Sequence, residues 1–161
     1  MTHYAVLRHN FDIQHNPDRL GPGYDDEKFW LSLGSGGDSR SWLVGNVIWL
    51  ISWEGFMKTH HVVSGWYKVD QVGKRAGVVS QHYAAGQEGV IFGRGVGPLD
   101  MREWFHKFVE ACPGFREGEP TVIDDYLKEL VAMSQAAGYL VPLPPAASAA
   151  DHQVTHESTT L

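Results

Sequence analysis

Cysteine is almost missing from this 161-residue chain. Cys112 stands alone, so no disulfide can close within it. That usage fits a reducing compartment, and the expected location is the cytoplasm. Long apolar runs are missing too. The longest, Val44 to Trp53, is interrupted by Asn46 and Ser52 and falls short of the roughly 20 residues that a spanning helix needs. The opening stretch MTHYAVLRHNFDIQH has no basic region followed by an apolar one, so it does not read as a signal peptide. Positive charge is in deficit: 13 Lys and Arg against 19 Asp and Glu, a formal net charge of −6. A protein that coats nucleic acid with its whole surface needs many cations to meet phosphates, so this composition excludes that class and leaves only a local basic patch. There is no repeat, no CxxC, no HExxH and no Gly-Lys-Ser/Thr loop. No metal site and no cofactor are therefore expected.

What remains is an ordinary soluble composition, 43% hydrophobic and 20% charged, long enough for one well-filled core. The pattern predicts a single α+β domain over residues 1–141. Residues 142–161, rich in Pro, Ala, Ser and Thr, have little to bury and are expected to form a disordered tail. Strands are predicted at His3 to Arg8, Asn46 to Trp53, Thr59 to Val72, Val78 to Tyr83 and Gly89 to Phe92. Asp25 to Leu33 reads as a helical turn or a strand, and Lys74 to Gly77 as a turn. Helices are predicted at Pro98 to Ala111 and Pro120 to Ala137, the second with Gly138 in the C-cap position. The expected architecture is a small mixed β-barrel or pseudobarrel followed by two C-terminal helices.

Four of the six tryptophans crowd into Trp42 to Val69. Within Asn46 to Trp53, alternation puts Val47, Trp49, Ile51 and Trp53 on one face and Ile48, Leu50 and Ser52 on the other. With both faces largely apolar, a central strand is expected, with Trp49 in the core. Trp53, beside polar Ser52 and Glu54 at the strand end, is equally suited to core or pocket wall. Gly65 inside the following strand predicts a bulge or a close approach to its backbone. Trp and Tyr offer a stacking face and a polar edge, which is how single or flipped bases are held.

The strand opened by Gly45-Asn46-Val47 and the following Val63-Ser64-Gly65-Trp66-Tyr67-Lys68-Val69 resemble the centre of the PUA-like superfamily, especially its EVE and ASCH branches. The match spans about 30 of the 161 residues. The resemblance implies a pseudobarrel that reads RNA or a modified DNA base. The reading taken forward is a nucleic-acid or nucleotide reader, not an enzyme, with an aromatic pocket of Trp53, Trp66 and Tyr67, helped by Trp30 or Trp42. Ser52 and Ser64 would bond the base edge, with Gly65 as a close backbone. Lys58, Lys68, Lys74 and Arg75 would meet phosphates. From Lys58 to Arg75 the charge is net +3 (four cations, one carboxylate) on an acidic chain.

Three other features compete. In GVIFGRGVGPLD, glycines alternate around Arg94 before a helix, which predicts either a bulged connection capped by Asp100 or an anion site with Arg94 on phosphate. His60 and His61 are neighbours on a strand and face opposite ways, so one at most serves a given site. An enzyme acting on a small anionic or nucleotide substrate, with Arg94 as anion clamp and His60 or His61 as acid/base, is the alternative function. Pro17-Asp18 with Asp26-Glu27-Lys28 echoes metal-dependent nuclease spacing but lies in a Pro/Gly-rich stretch, where a solvated acidic loop is expected.

Overall fold

A computed structural model of the protein describes residues 1–8, 29–34, 38–54, 60–75, 81–116 and 118–142. Its strands are β1 (His3–Arg8), β2 (Phe29–Ser32), β3 (Val47–Glu54), β4 (His60–Lys68), β5 (Gln71–Arg75), β6 (Gln81–Gly86), β7 (Gly89–Val96) and β8 (Thr121–Val122); its helices are α1 (Glu103–Ala111) and α2 (Leu127–Ala136). The fold is α+β with the two helices C-terminal. Among the described residues the strands form two sheets and no closed barrel. One runs in the order β7-β4-β3-β1-β8, the other β2-β6-β5. β1 and β3 are parallel; the other pairings are antiparallel.

β3 is the central strand that its two apolar faces predict. Val47, Trp49 and Ile51 pack with Trp104, Phe105 and Phe108 of α1 and Leu130 and Met133 of α2. Ile48 and Leu50 point the other way, against Phe29, Leu31 and Ala84 of the three-stranded sheet. The five-stranded sheet is thus the middle of three layers. Burying each large aliphatic side chain in such a position contributes roughly 1.5–3 kcal/mol. Gly65 marks the predicted bulge: the β3–β4 register shifts beside it. Its φ of +151° and a Val90 carbonyl 2.5 Å from where a Cβ would sit leave room for glycine only.

Local pattern fails where tertiary partners intervene. The predicted strand Thr59 to Val72 breaks after Lys68. There Val69 N–H donates to Asn46 O and Asp70 N–H to Ala85 O, carrying the chain from one sheet to the other. Lys74 and Arg75, expected in a turn, end β5. The predicted helix from Pro120 begins only at Leu127. Thr121-Val122 instead forms β8 beside β1, and Ile123 N–H donates to His3 O. β-branched residues prefer that edge pairing to a first helical turn. α1 likewise starts at Glu103, after a 3₁₀ turn over Leu99–Met101. At the end of α2, Gly138 (φ +92°) is the left-handed residue that its predicted capping place requires. Gly138 N–H donates to Gln135 O and Tyr139 N–H to Ser134 O, the paired bonds of a Schellman cap. The predicted tail, except Pro142, lies outside the described residues.

Candidate functional site

Parallel pairing of β1 with β3 sets Arg8 opposite Ser52, and antiparallel pairing sets Trp53 opposite His61 and Glu54 opposite His60. The C-terminal ends of β1 and β3 and the start of β4 therefore share one end of the sheet.

Trp53 keeps part of its indole exposed there. Its ring centroid lies 3.8 Å from that of His61, with the planes 35° apart, and the His61 ring is in turn 5.2 Å from Phe105 of α1. Asp100, in the 3₁₀ turn before α1, holds the histidine twice. Its Oδ1 accepts the His61 backbone N–H, and its Oδ2 lies 2.9 Å from His61 Nδ1. Burial, the largest single influence on Asp100, pushes its carboxyl up. The backbone and ring hydrogen bonds from His61 and the attraction of the imidazole together outweigh this and hold the pKa below the usual 3.8. An ionised Oδ2 only accepts, so Nδ1 bears the hydrogen. Nε2 makes no hydrogen bond to any described residue. The carbonyl of Asp100 also meets His106 Nε2 at 2.7 Å. Phe105, Asp100, His61 and Trp53 thus form a ladder from the core to the surface. Asp100 was expected as a cap for the following helix; it serves β4 instead, 39 residues away in sequence.

The other residues expected around the pocket sit elsewhere. Ser52 and Ser64 do meet, but in the interior. Their hydroxyls are 2.9 Å apart at 0% and 2% exposure, and Ser64 Oγ also lies 3.3 Å from Leu50 O. They satisfy each other where water cannot, so a place at a base edge is not what their packing provides. Trp66 is 5% exposed and donates its indole N–H to Leu140 O at 2.8 Å. Tyr67 is sealed in the second core, its hydroxyl donating to Ala84 O at 2.8 Å and its ring stacked on Phe29. Both rings are accounted for by packing, and Gly65 by the backbone of β7.

Trp30 stacks on Tyr83 in the three-stranded sheet. Trp42 is 45% exposed beside Tyr4. Asn46, which opens the motif behind the resemblance, is a joint. It accepts from Thr2 N–H and, through Nδ2, donates to Trp42 O.

Among the described residues, Lys68 and Lys74 stand away from Trp53. Lys68 is exposed but ends β4, eight residues from His60, which is roughly 26 Å along a strand. Lys74 is exposed on β5 in the other sheet. Lys58, the side chain of Arg75 and the acidic run at Asp18 and Asp26-Glu27-Lys28 lie outside the described residues. Arg94 is exposed on β7, toward the Trp53 end. Among the described residues no cluster of three or more His, Cys, Asp or Glu is placed to hold a metal ion, and no helix is long and apolar enough to cross a membrane.

No protein-family model, curated protein or solved structure matches this chain.

Proposed function

We propose that this protein is a PUA-like reader of a nucleic-acid base or nucleotide, with Trp53 as the stacking surface. The carrying observation is the buttressed ring. An aromatic side chain kept partly in water, at the end of a sheet, is held from beneath by an imidazole that a carboxylate locks in place. Such rigidity cuts the ordering cost of stacking a base. The central β3 and the Gly65-notched β4 are the segments that carry the resemblance; among the described residues the strands form two sheets and not a closed barrel. On this reading Ser52, Ser64, Trp66 and Tyr67 are the frame that fixes the hairpin, and Trp53 with His61 forms the contact.

Base–aromatic stacking is worth about 1–3 kcal/mol per base, so Trp53→Ala should weaken binding of single-stranded oligonucleotides about 5- to 150-fold. Circular dichroism and the unfolding midpoint should barely change, and Trp53→Phe should recover most of the affinity. Undiminished oligonucleotide binding by a folded Trp53→Ala protein would overturn the proposal.

One observation favours a second reading. Asp100 holds His61 in the tautomer that leaves Nε2 with a lone pair, the arrangement of a general base. An enzyme on a nucleotide or small anionic substrate would lose turnover in Asp100→Asn with substrate affinity kept. A reader would show no turnover to lose.

A further inference from the structure

Midway along β7 the ladder is interrupted. Val63 of β4 pairs with Val96, and Gly65 pairs with Ile91. Four residues, Phe92 to Gly95, therefore stand against the single residue Ser64. Phe92 is buried in the core, while Gly93 and Arg94 are pushed out into solvent.

The excursion is held, not slack. Tyr139 Oη accepts the Arg94 backbone N–H at 2.8 Å and donates to the Arg94 carbonyl at 3.0 Å. Its ring stacks on Phe92, centroids 4.2 Å apart and planes 11° apart. Tyr139 reaches that place through the Schellman cap of α2, and the next residue is locked by Trp66 on Leu140 O. One hydroxyl thus replaces the two ladder bonds that Arg94 gave up, which fixes the main chain from which its side chain springs.

Among the described residues the Arg94 guanidinium itself has no hydrogen bond or ion pair. Beside it lies a cavity of about 570 Å³, lined by Gly93 to Gly97, Ala137 and Tyr139. A Cβ added at Gly93 would meet nothing within 4 Å. The carbonyls of Ser134 and Gln135 at the end of α2 accept the two Schellman bonds.

The geometry points to an anion site in which the bulged Gly93-Arg94-Gly95 segment and Tyr139 present Arg94 to a phosphate group. Bulges re-aim side chains beside sites, and the planar guanidinium suits two phosphate oxygens at once. Strand rise and spacing put Arg94 on the order of 10–15 Å from Trp53, within the span of a short oligonucleotide. The same chemistry would take a free phosphate or nucleotide, and the site stands whether or not Trp53 stacks a base.

The test uses the full chain in two arms. In the first, affinity for a single-stranded oligonucleotide is measured against salt. Arg94→Ala should weaken binding about tenfold or more, the loss expected for a charge-assisted bond, and should make the salt dependence shallower by about 0.7 in log–log slope. Tyr139→Phe, which keeps the Phe92 stack and frees the bulge, should move affinity the same way to a smaller extent, and Arg94→Lys should retain the slope. In the second arm, inorganic phosphate is titrated while the Arg94 Nε–H resonance is followed. A shift there without oligonucleotide binding assigns the site to a free anion and removes the base-reading proposal instead. Folded Arg94→Ala and Tyr139→Phe proteins with unchanged affinity and slope, together with an Nε–H signal indifferent to phosphate, would overturn the site.

Discussion

The protein contains two tryptophan–histidine pairs on one strand, four residues apart, and they behave as opposites. Trp49 is fully buried and donates its indole N–H to His3 Nδ1 of β1 at 3.0 Å. Trp53 is partly exposed and stacks on His61 of β4, whose ring answers to Asp100. Both side chains point to the helical face of the sheet. The first pair ties two strands together inside the core; the second lifts an aromatic surface to the sheet's end. Residue type and alternation are shared, and depth along the strand separates them.

The largest contrast should come from alanine. Trp49→Ala leaves a large cavity and an unpaired His3, and should cost about 3–5 kcal/mol in denaturant unfolding. A loss below about 1 kcal/mol would mean that the two tryptophans are equivalent after all.

Next come the serines between the pairs. Ser64→Ala strands the buried Ser52 hydroxyl and should cost about 1–3 kcal/mol, whereas Ser52→Ala leaves Ser64 its bond to Leu50 O and should cost less. The double variant Ser52→Ala/Ser64→Ala should cost less than the sum, and a double-mutant cycle measures that coupling. Strict additivity would mean that the 2.9 Å contact contributes nothing.

Acid should separate the two pairs. Burial, the largest influence, lowers the pKa of His3; Asp124 opposes it and the N-terminal ammonium assists. The folded state therefore resists a proton that the unfolded chain takes up near 6.5. Stability from His3 is complete above that value and declines as the pH falls below it. Asp100 is lowered in a carboxylate sense, so its share is complete above 3.8 and is lost only as the pH falls through the lower folded value. Unfolding midpoints between pH 7 and 5 should fall in the parent and flatten in His3→Gln, while Asp100→Asn should lower the midpoints throughout the range above about pH 4 and change their dependence on pH only below it. Flat midpoints in the parent over pH 7 to 5 would remove the difference.

The smallest effect on stability should be that of Trp53→Ala, about 1 kcal/mol or less, because a partly exposed ring at a sheet end leaves less of a cavity than a sealed one. A cost near that of Trp49→Ala would return Trp53 to the core and empty the candidate site.

Much of the fold was legible. β1 stands where pattern puts it, β3 within one residue, and the two faces of β3 divide as alternation predicts, because a strand buried on both sides carries its signature within eight residues. The candidate site was legible only in part. Trp53 stood out by its polar neighbours, and nothing marked Asp100 or Phe105 as its support, since they approach it from a later turn and helix. Where Lys68 stands relative to Trp53 was not legible, because closeness in sequence along an extended strand is distance in space.

By itself the sequence determined the class of structure: strands then helices, the central strand, the bulge at Gly65 and the cap at Gly138. These follow from local rules, the two-residue period of a strand and the backbone freedom of glycine. Only the tertiary structure decided which aromatic rings are frame and which is surface, that Ser52 and Ser64 spend their hydroxyls on each other, and that Tyr139 holds Arg94 out of its ladder. Those outcomes depend on partners 12 to 74 residues away, and on whether water reaches them, which no window of sequence contains.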